Sequence, residues 1–280
     1  MEALQEWFPV EIRITDQFYE VIHQDSITTI GAFPIGLDVD NILSEVSEDK
    51  KLNHDWSEQS LYSRISEDRN AGRYIFGGLE RCDYTKGLIA RLSIFQNALT
   101  TLRYSQQDAR FYQVTAPSRS ENPDYQKLET FLEKRVTKIN KKVGDTSIVH
   151  IDKGIPAPQN YRFMKEIDVM LVTPLDDGMN LVAFEYILSQ KYKHPERRGI
   201  LALSTSGASR VLKEKGFGEE DGIIYINPMR AKDAGQRIVQ ALMAQRHLSE
   251  RVVNYVETER RVDDWAERNI EAILNCRKAV

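Results

Sequence analysis

Short, uninterrupted apolar stretches alternate with longer amphipathic stretches along most of this sequence. The clearest apolar stretch is residues 167–175, IDVMLVTPL, whose continuous hydrophobic centre is typical of a strand covered on both faces. The clearest amphipathic stretch is residues 124–144, where basic residues occupy the last turns before Gly144. Strands separated by helices indicate a parallel, doubly wound sheet, so the sequence predicts an α/β, Rossmann-like fold with helices on both faces.

The same two patterns predict the other elements. Residues 27–35, ITTIGAFPI, are predicted to form a buried strand, which Pro34 and Gly36 end. The other predicted strands are 73–79, 110–117, 146–151, 199–205 and 222–228. The other predicted helices are 38–66 (with a less regular stretch near Trp56), 87–102, 158–166, 180–190, 208–215, 231–245 and 248–275.

Composition excludes several classes of protein. The 280 residues include 38 Lys plus Arg and 42 Asp plus Glu, a net charge of −4, which argues against a nucleic-acid-binding protein with a broad basic surface. Two cysteines, Cys82 and Cys276, cannot form a disulfide framework and favour a reducing compartment. With no signal peptide and no apolar run of about 20 residues, we expect a cytoplasmic protein that does not enter a membrane. The histidines lack metal-ligand spacing, so no zinc site is predicted.

Ligands of such sheets bind beyond the carboxyl ends of the strands, so the loops that follow strands carry the candidate residues. In the first such loop, residues 79–87, Arg81 and Lys86 bracket a turn before a helix, which suits a phosphate or diphosphate. Arg119, in a third loop, is another candidate anion ligand. The alternative for all three is that they are ordinary surface cations.

The second loop, residues 173–186, follows the most strongly predicted strand. Gly178 allows close approach of a ligand, while Asp177 and Asn180 offer groups that suit sugar hydroxyls. A helix beginning near Asn180 would leave its first N–H groups free for an anion, with Glu185 about one turn further on. The alternative is simple capping, because Asp and Asn are normal N-cap residues.

These loops resemble those of the trehalose-6-phosphate synthase family of retaining glycosyltransferases, which includes the glucosylglycerol-phosphate synthases. The resemblance extends over nearly the whole chain. The matching stretches are GAFPIGLD (31–38), ERCDYTKGL (80–88), APSR (116–119), DYQKL (124–128), DVMLVTPLDDGMNLVAFEY (168–186), GILALSTSGAS (199–209), INP (226–228) and DDWAERNIEAIL (263–274).

The resemblance implies the carboxy-terminal, donor-binding half of a GT-B glycosyltransferase. It implies a remnant of an amino-terminal domain and linker at 1–40, a nucleotide-sugar donor domain at 41–247 and a carboxy-terminal helix at 248–280. The implied activity is transfer of glucose from UDP-glucose to glucose-6-phosphate with retention, without a metal or cofactor. The implied roles are catalysis by Arg81 and Lys86, donor binding by Asp177, Gly178, Met179, Asn180, Leu181, Val182 and Glu185, and acceptor-phosphate binding by Arg119.

Two departures from the family pattern keep a second function open. Asp176 replaces a usual Arg and Phe184 a usual Lys, and each change removes positive charge near the implied diphosphate site. Family members are also usually much longer, so a second chain or a homo-oligomer is expected to complete the cleft. The alternative is a non-catalytic homologue that binds a UDP-sugar or regulates a full-length synthase.

Overall fold

The computed structural model of this chain describes residues 10–14, 18–47, 56–143 and 146–278. They form two compact units. The larger unit runs from Leu37 to Glu259, and the smaller unit combines the described residues up to Gly36 with those from Arg260 onward. The domain boundaries predicted from the resemblance stay a prediction.

A six-stranded parallel sheet forms the centre of the larger unit. Its strands are β4 (Arg73–Arg81), β5 (Asp108–Ala116), β6 (Ile148–Ile151), β7 (Val169–Val172), β8 (Ile200–Leu203) and β9 (Ile223–Tyr225). They pair in the order β6-β5-β4-β7-β8-β9, so the first and fourth strands of this sheet are neighbours. This is the Rossmann strand order, and it confirms the predicted fold class.

Helices cover both faces of this sheet. On one face lie α3 (Leu88–Tyr104), α4 (Pro123–Val143) and α8 (Ala231–Met243). On the other face lie α1 (Val39–Val46), α2 (Trp56–Asn70), α5 (Ala157–Glu166), α6 (Leu181–Ser189), α7 (Gly207–Glu214) and α9 (Glu250–Glu259). All residues of β7 and β8 are buried, as the continuous apolar runs predict.

A buried carboxylate anchors α2 to the amino-terminal edge of the sheet. Asp68 accepts hydrogen bonds from Arg110 at 3.0 and 3.2 Å, from Arg73 at 2.8 Å and from the Tyr112 hydroxyl at 2.6 Å. Burial alone would raise the pKa of Asp68, but these donors outweigh it and hold the pKa below its usual value.

The smaller unit contains an antiparallel sheet, which corrects one prediction. Its strands β1 (Glu11–Ile14), β2 (Tyr19–His23) and β3 (Ser26–Ile30) pair in that order. The predicted buried strand 27–35 was wrong in its burial and length, because every residue of β3 is exposed and the strand ends at Ile30. An apolar pattern predicts extended backbone, but it does not say what covers the strand.

Two helix predictions differ from the structure. The stretch 38–66, predicted as a helix followed by a less regular stretch near Trp56, gives α1 and then α2, which begins at Trp56, and residues 48–55 lie outside the described residues. The prediction of one helix over 248–275 was wrong: α9 ends at Glu259 and α10 (Val262–Lys278) follows. At that break Arg260 is buried and donates to the Ile35 carbonyl at 2.9 Å, a tertiary contact with no local signal.

Candidate functional site

The first two candidate loops, residues 79–87 and 173–186, lie side by side at the carboxyl ends of the strands. One follows β4 and the other follows β7, and these strands are hydrogen-bonded neighbours. Because α3 and α6 then leave for opposite faces, the two loops lie at the point where the strand order reverses, and in doubly wound sheets this is where ligands bind.

Local contacts shape the loop after β4. The Asp83 carboxylate accepts from the Thr85 amide and begins a single 3-10 turn, Tyr84–Lys86. Gly87 ends that turn in the left-handed conformation at φ 63°, and a Cβ there would lie 2.0 Å from the Thr173 carbonyl oxygen. The turn therefore requires glycine, and it holds the loop directly against the end of β7.

Lys86 links the two loops by ion pairs. Its Nζ lies 2.6 Å from Asp177 and 3.5 Å from Glu80, and all three side chains are largely buried. Burial alone would lower the pKa of Lys86, but the two carboxylates outweigh it and hold the pKa above its ordinary value. Lys86 is therefore a fixed ammonium charge at neutral pH.

The Asn180 side chain does not cap the helix that it precedes. No side-chain capping bond forms at the start of α6, because the Asn180 amide donates to Glu80 at 2.6 Å and to Asp177 at 3.3 Å. The simple-capping alternative is therefore wrong for Asn180. The backbone N–H groups in the first turn of α6, which begins with Leu181 and Val182, therefore receive no hydrogen bond from this side chain. That first turn lies beside the Lys86 ammonium.

Sequence reasoning missed a buried polar layer beneath these loops. The Glu80 side chain is only 4% exposed, and Arg91, in α3, is fully buried 3.9 Å from it. Arg91 Nε donates to the Thr173 hydroxyl at 3.0 Å. The one available signal was Gly78 inside β4, since a Cβ there would lie 2.8 Å from the Arg91 side chain.

Glu185 lies half-buried in the second turn of α6. Burial raises its pKa from the ordinary value of 4.5 to about 7, and the negative charge of Glu80 adds to that shift. Burial raises the pKa of Tyr161, in α5, to about 12, and the negative charge of Glu185 adds to that shift. Glu185 is thus a carboxyl group whose ionisation is disfavoured in the folded protein.

Arg81 and Arg119 are both exposed, and both act on the charge of Asp83. The Arg119 guanidinium donates to the Tyr125 hydroxyl at 3.0 Å and lies over that ring, 5.2 Å from its centroid. Its own backbone has φ 49°, which places it in a tight turn. The structure therefore brings Arg81 and Arg119 near one carboxylate, although their loops follow different strands.

Other sequence-predicted positions differ in exposure. In the loop after β7, Asp176 and Gly178 are exposed and Met179 is half-buried. Phe184, considered above for its missing positive charge, is fully buried in the core that α6 forms on the sheet. Cys82 is also buried, and burial raises the pKa of its thiol to about 11.

Within the described parts of the chain, no cluster of three or more His, Cys, Asp or Glu side chains could hold a metal ion. In the same residues, no helix has the length and apolar character needed to cross a bilayer.

The sequence matches known proteins over most of its length. The profile of glycosyltransferase family 20 matches residues 3–275. A trehalose-6-phosphate synthase of Mycobacterium ulcerans is 29% identical over 273 residues, covering 95% of this chain and 51% of that protein. An alpha,alpha-trehalose-phosphate synthase [UDP-forming] of Candida albicans is 30% identical over 224 residues, covering 79% of this chain and 43% of that protein. The chain thus spans about half the length of these curated relatives.

Solved structures show the same fold. An alpha,alpha-trehalose-phosphate synthase (UDP-forming) from Burkholderia xenovorans, in complex with glucose-6-phosphate, gives a TM-score of 0.79 at 24% identity, covering 98% of this chain and 57% of that chain. A structure described as trehalose-6-phosphate from E. coli, bound with UDP-2-fluoro glucose, gives a TM-score of 0.79 at 23% identity. It covers 97% of this chain and 57% of that chain.

Proposed function

Because the chain belongs to glycosyltransferase family 20, we propose that it takes part in transfer of glucose from UDP-glucose to glucose-6-phosphate with retention of configuration. The ligands of the two related structures, glucose-6-phosphate and UDP-2-fluoro glucose, support this choice of acceptor and donor. The observation that carries the proposal is the first turn of α6, which Asn180 leaves uncapped beside the buried Lys86 ammonium.

The donor diphosphate would lie between these two groups. Backbone N–H groups of Leu181 and Val182 would donate to its oxygens, and Arg81 would approach from the end of β4. Lys86 already contacts Asp177 and Glu80, and its ammonium keeps a further N–H donor for a phosphate oxygen.

Transfer would form a bond from the anomeric carbon of glucose to a hydroxyl oxygen of glucose-6-phosphate as the bond from that carbon to the diphosphate breaks. UDP leaves with negative charge developing on its departing phosphate oxygen, which takes up the proton of the acceptor hydroxyl. Lys86 and Arg81 would stabilise that charge, and because the pKa of Lys86 is raised it would act as a fixed charge rather than an acid. Glu185 would hold the ribose hydroxyls, and Arg119 would bind the acceptor phosphate. The remaining residues of the loop, Asp177, Gly178, Met179 and Asn180, would contact the donor glucose.

A second candidate function is binding of the donor without transfer, as a UDP-sugar-binding or regulatory homologue. Asp176 favours this second function, because its exposed carboxylate, in the loop after β7, would repel a diphosphate. For transfer, we propose that the rest of the cleft comes from a second chain that carries the unmatched half of the relatives, or from a second copy of this chain in a homo-oligomer.

Calorimetric titration with UDP tests the donor site. We expect saturable binding that weakens by about tenfold in Arg81→Ala, because one charge-assisted contact is lost. Arg197→Ala is the matched control, since this exposed arginine lies in the turn before β8, at the opposite edge of the sheet, and should leave binding unchanged. Absence of UDP binding by the wild-type chain would refute the proposed function.

UDP release from UDP-glucose, measured with glucose-6-phosphate present, separates the two candidates. The assay is run on the chain alone and with the amino-terminal half of a related synthase added. Release under either condition supports transfer, whereas UDP binding without release under both supports the binding homologue.

A further inference from the structure

A buried carboxylate lies at the point where the two loops of the candidate site meet. Glu80 is the next-to-last residue of β4, and its side chain is 4% exposed. One oxygen accepts from Asn180 Nδ2 at 2.6 Å, and the other lies 3.5 Å from Lys86 Nζ. Glu80 thus contacts one residue of each loop, Lys86 and Asn180, which are 94 positions apart in the sequence.

We propose that Glu80 is a positioning residue, which fixes the sugar-contacting loop 177–180 relative to the Lys86 ammonium. The consequence of this positioning for recognition of the donor glucose rests on the proposed function. The positioning of the loop by Glu80 does not depend on any ligand. With its side chain 4% exposed, Glu80 is assigned a role through Lys86 and Asn180 and not through contact with substrate.

The contacts of Asn180 show how the restraint reaches the loop backbone. Its Nδ2 donates to two carboxylates, Glu80 at 2.6 Å and Asp177 at 3.3 Å, so the amide has one preferred orientation. Asp177 in turn accepts from the Met179 amide at 3.2 Å. The chain from 177 to 180 is therefore tied, through one side chain, to the end of β4.

The layer beneath explains why the carboxylate stays there. Arg91 is fully buried with a guanidinium nitrogen 3.9 Å from Glu80, and Thr173 fixes its Nε. Gly78 leaves the space that this guanidinium occupies. A cation on each side, Arg91 below and Lys86 above, compensates for burial of the Glu80 charge.

A role of Glu80 through its charge alone and a positioning role make different predictions for ligand binding by the Glu80→Gln variant. If Glu80 acted only through its charge, its removal beside an anion site would strengthen binding of both UDP and UDP-glucose. If Glu80 positions the loop, the advantage that glucose adds to UDP binding is lost, because Asn180 is held less firmly to the end of β4, while the ion pair with Asp177 keeps Lys86 in place for the diphosphate.

The first experiment needs no ligand. We expect amide hydrogen exchange in residues 176–182 to become about tenfold faster in Glu80→Gln, since the tie to β4 is weakened. Asp221→Asn is the matched control: this buried carboxylate is paired with Arg251 near the start of β9, and its loss should leave exchange in 176–182 unchanged. In an Asn180→Ala background, Glu80→Gln should add little, because both changes weaken the same contact: one removes the donor and the other removes the charge of the acceptor. Unchanged exchange in Glu80→Gln overturns the proposal.

The second experiment compares calorimetric affinities for UDP and UDP-glucose. We expect Glu80→Gln to weaken UDP-glucose binding by about tenfold, the equivalent of one hydrogen bond to a charged group, while UDP binding is retained. Equal changes in both affinities overturn the positioning role. If wild-type protein binds neither ligand but the exchange result holds, the proposed function fails and the positioning of the loop by Glu80 stands.

Discussion

Replacing Glu185 by glutamine is expected to stabilise the protein at neutral and alkaline pH, although the same change removes a proposed ligand of the donor ribose. The reason is that burial, with a contribution from Glu80, raises the pKa of Glu185 from 4.5 to about 7 in the folded protein. Between these two values the folded state keeps a proton that the unfolded state has lost. The free energy of unfolding therefore falls as pH rises through this window.

The magnitude follows from the two pKa values. The step from 4.5 to about 7 corresponds to at most about 3.5 kcal/mol of destabilisation above pH 7, at about 1.4 kcal/mol per pH unit. Solvent reaches part of this half-buried side chain, which makes that figure an upper limit. Glutamine is nearly isosteric and never ionises, so Glu185→Gln avoids the loss, and its melting temperature should exceed that of the wild type by up to about 6 °C at pH 8.

Urea and thermal unfolding from pH 4 to pH 8 measure the effect. The stability difference between Glu185→Gln and the wild type should be small at pH 4 and should grow between pH 4.5 and pH 7. Glu214→Gln is the control, because this exposed carboxylate on α7 should change stability by less than about 0.5 kcal/mol at every pH. A difference for Glu185→Gln that does not vary with pH would refute the reasoning.

Two further predictions concern the supports of the site and of the sheet. Gly207→Ala should cost about 1–3 kcal/mol and weaken UDP binding, because its Cβ would lie 1.7 Å from the Gly178 carbonyl oxygen in the donor loop; Gly218→Ala, which meets no atom within 4 Å, is the control in the same unfolding and titration assays. Asp68→Asn should cost about 3 kcal/mol at pH 7, because Arg110 loses its buried partner. Since the pKa of Asp68 is lowered in the folded state, the difference from the wild type should shrink as pH falls below 3.8, and acid unfolding curves that stay parallel would contradict this.

Much of the fold follows from local pattern. The continuous apolar runs at β7 and β8 predict strands covered on both faces, and both are fully buried. The same reasoning was wrong for the predicted buried strand 27–35. The strand found there, β3, belongs to an antiparallel sheet, and every residue of β3 is exposed. Burial of a strand depends on what packs against it, and the strand's own residues do not determine that.

The candidate site divides in the same way. Arg81, Lys86 and Asp177 could be selected because each lies in a loop just after a predicted strand, where ligands of doubly wound sheets bind. Glu80 lies in the predicted loop 79–87 and Arg91 in the helix predicted after it, but neither was selected, because only the structure shows that both are buried and adjacent. Their chemistry depends on contacts between residues far apart in the chain.

The sequence by itself therefore determined the α/β class, the family and the loops that carry the candidate ligands, because hydrophobic period, turn residues and motifs are local properties. Only the tertiary structure decided that Asn180 bonds to Glu80, 100 residues away, instead of capping α6. That outcome depends on β4 and β7 being neighbours in the sheet, which places a buried carboxylate within hydrogen-bond distance of the amide. A side chain with two possible partners bonds to the one that folding brings close and shields from water.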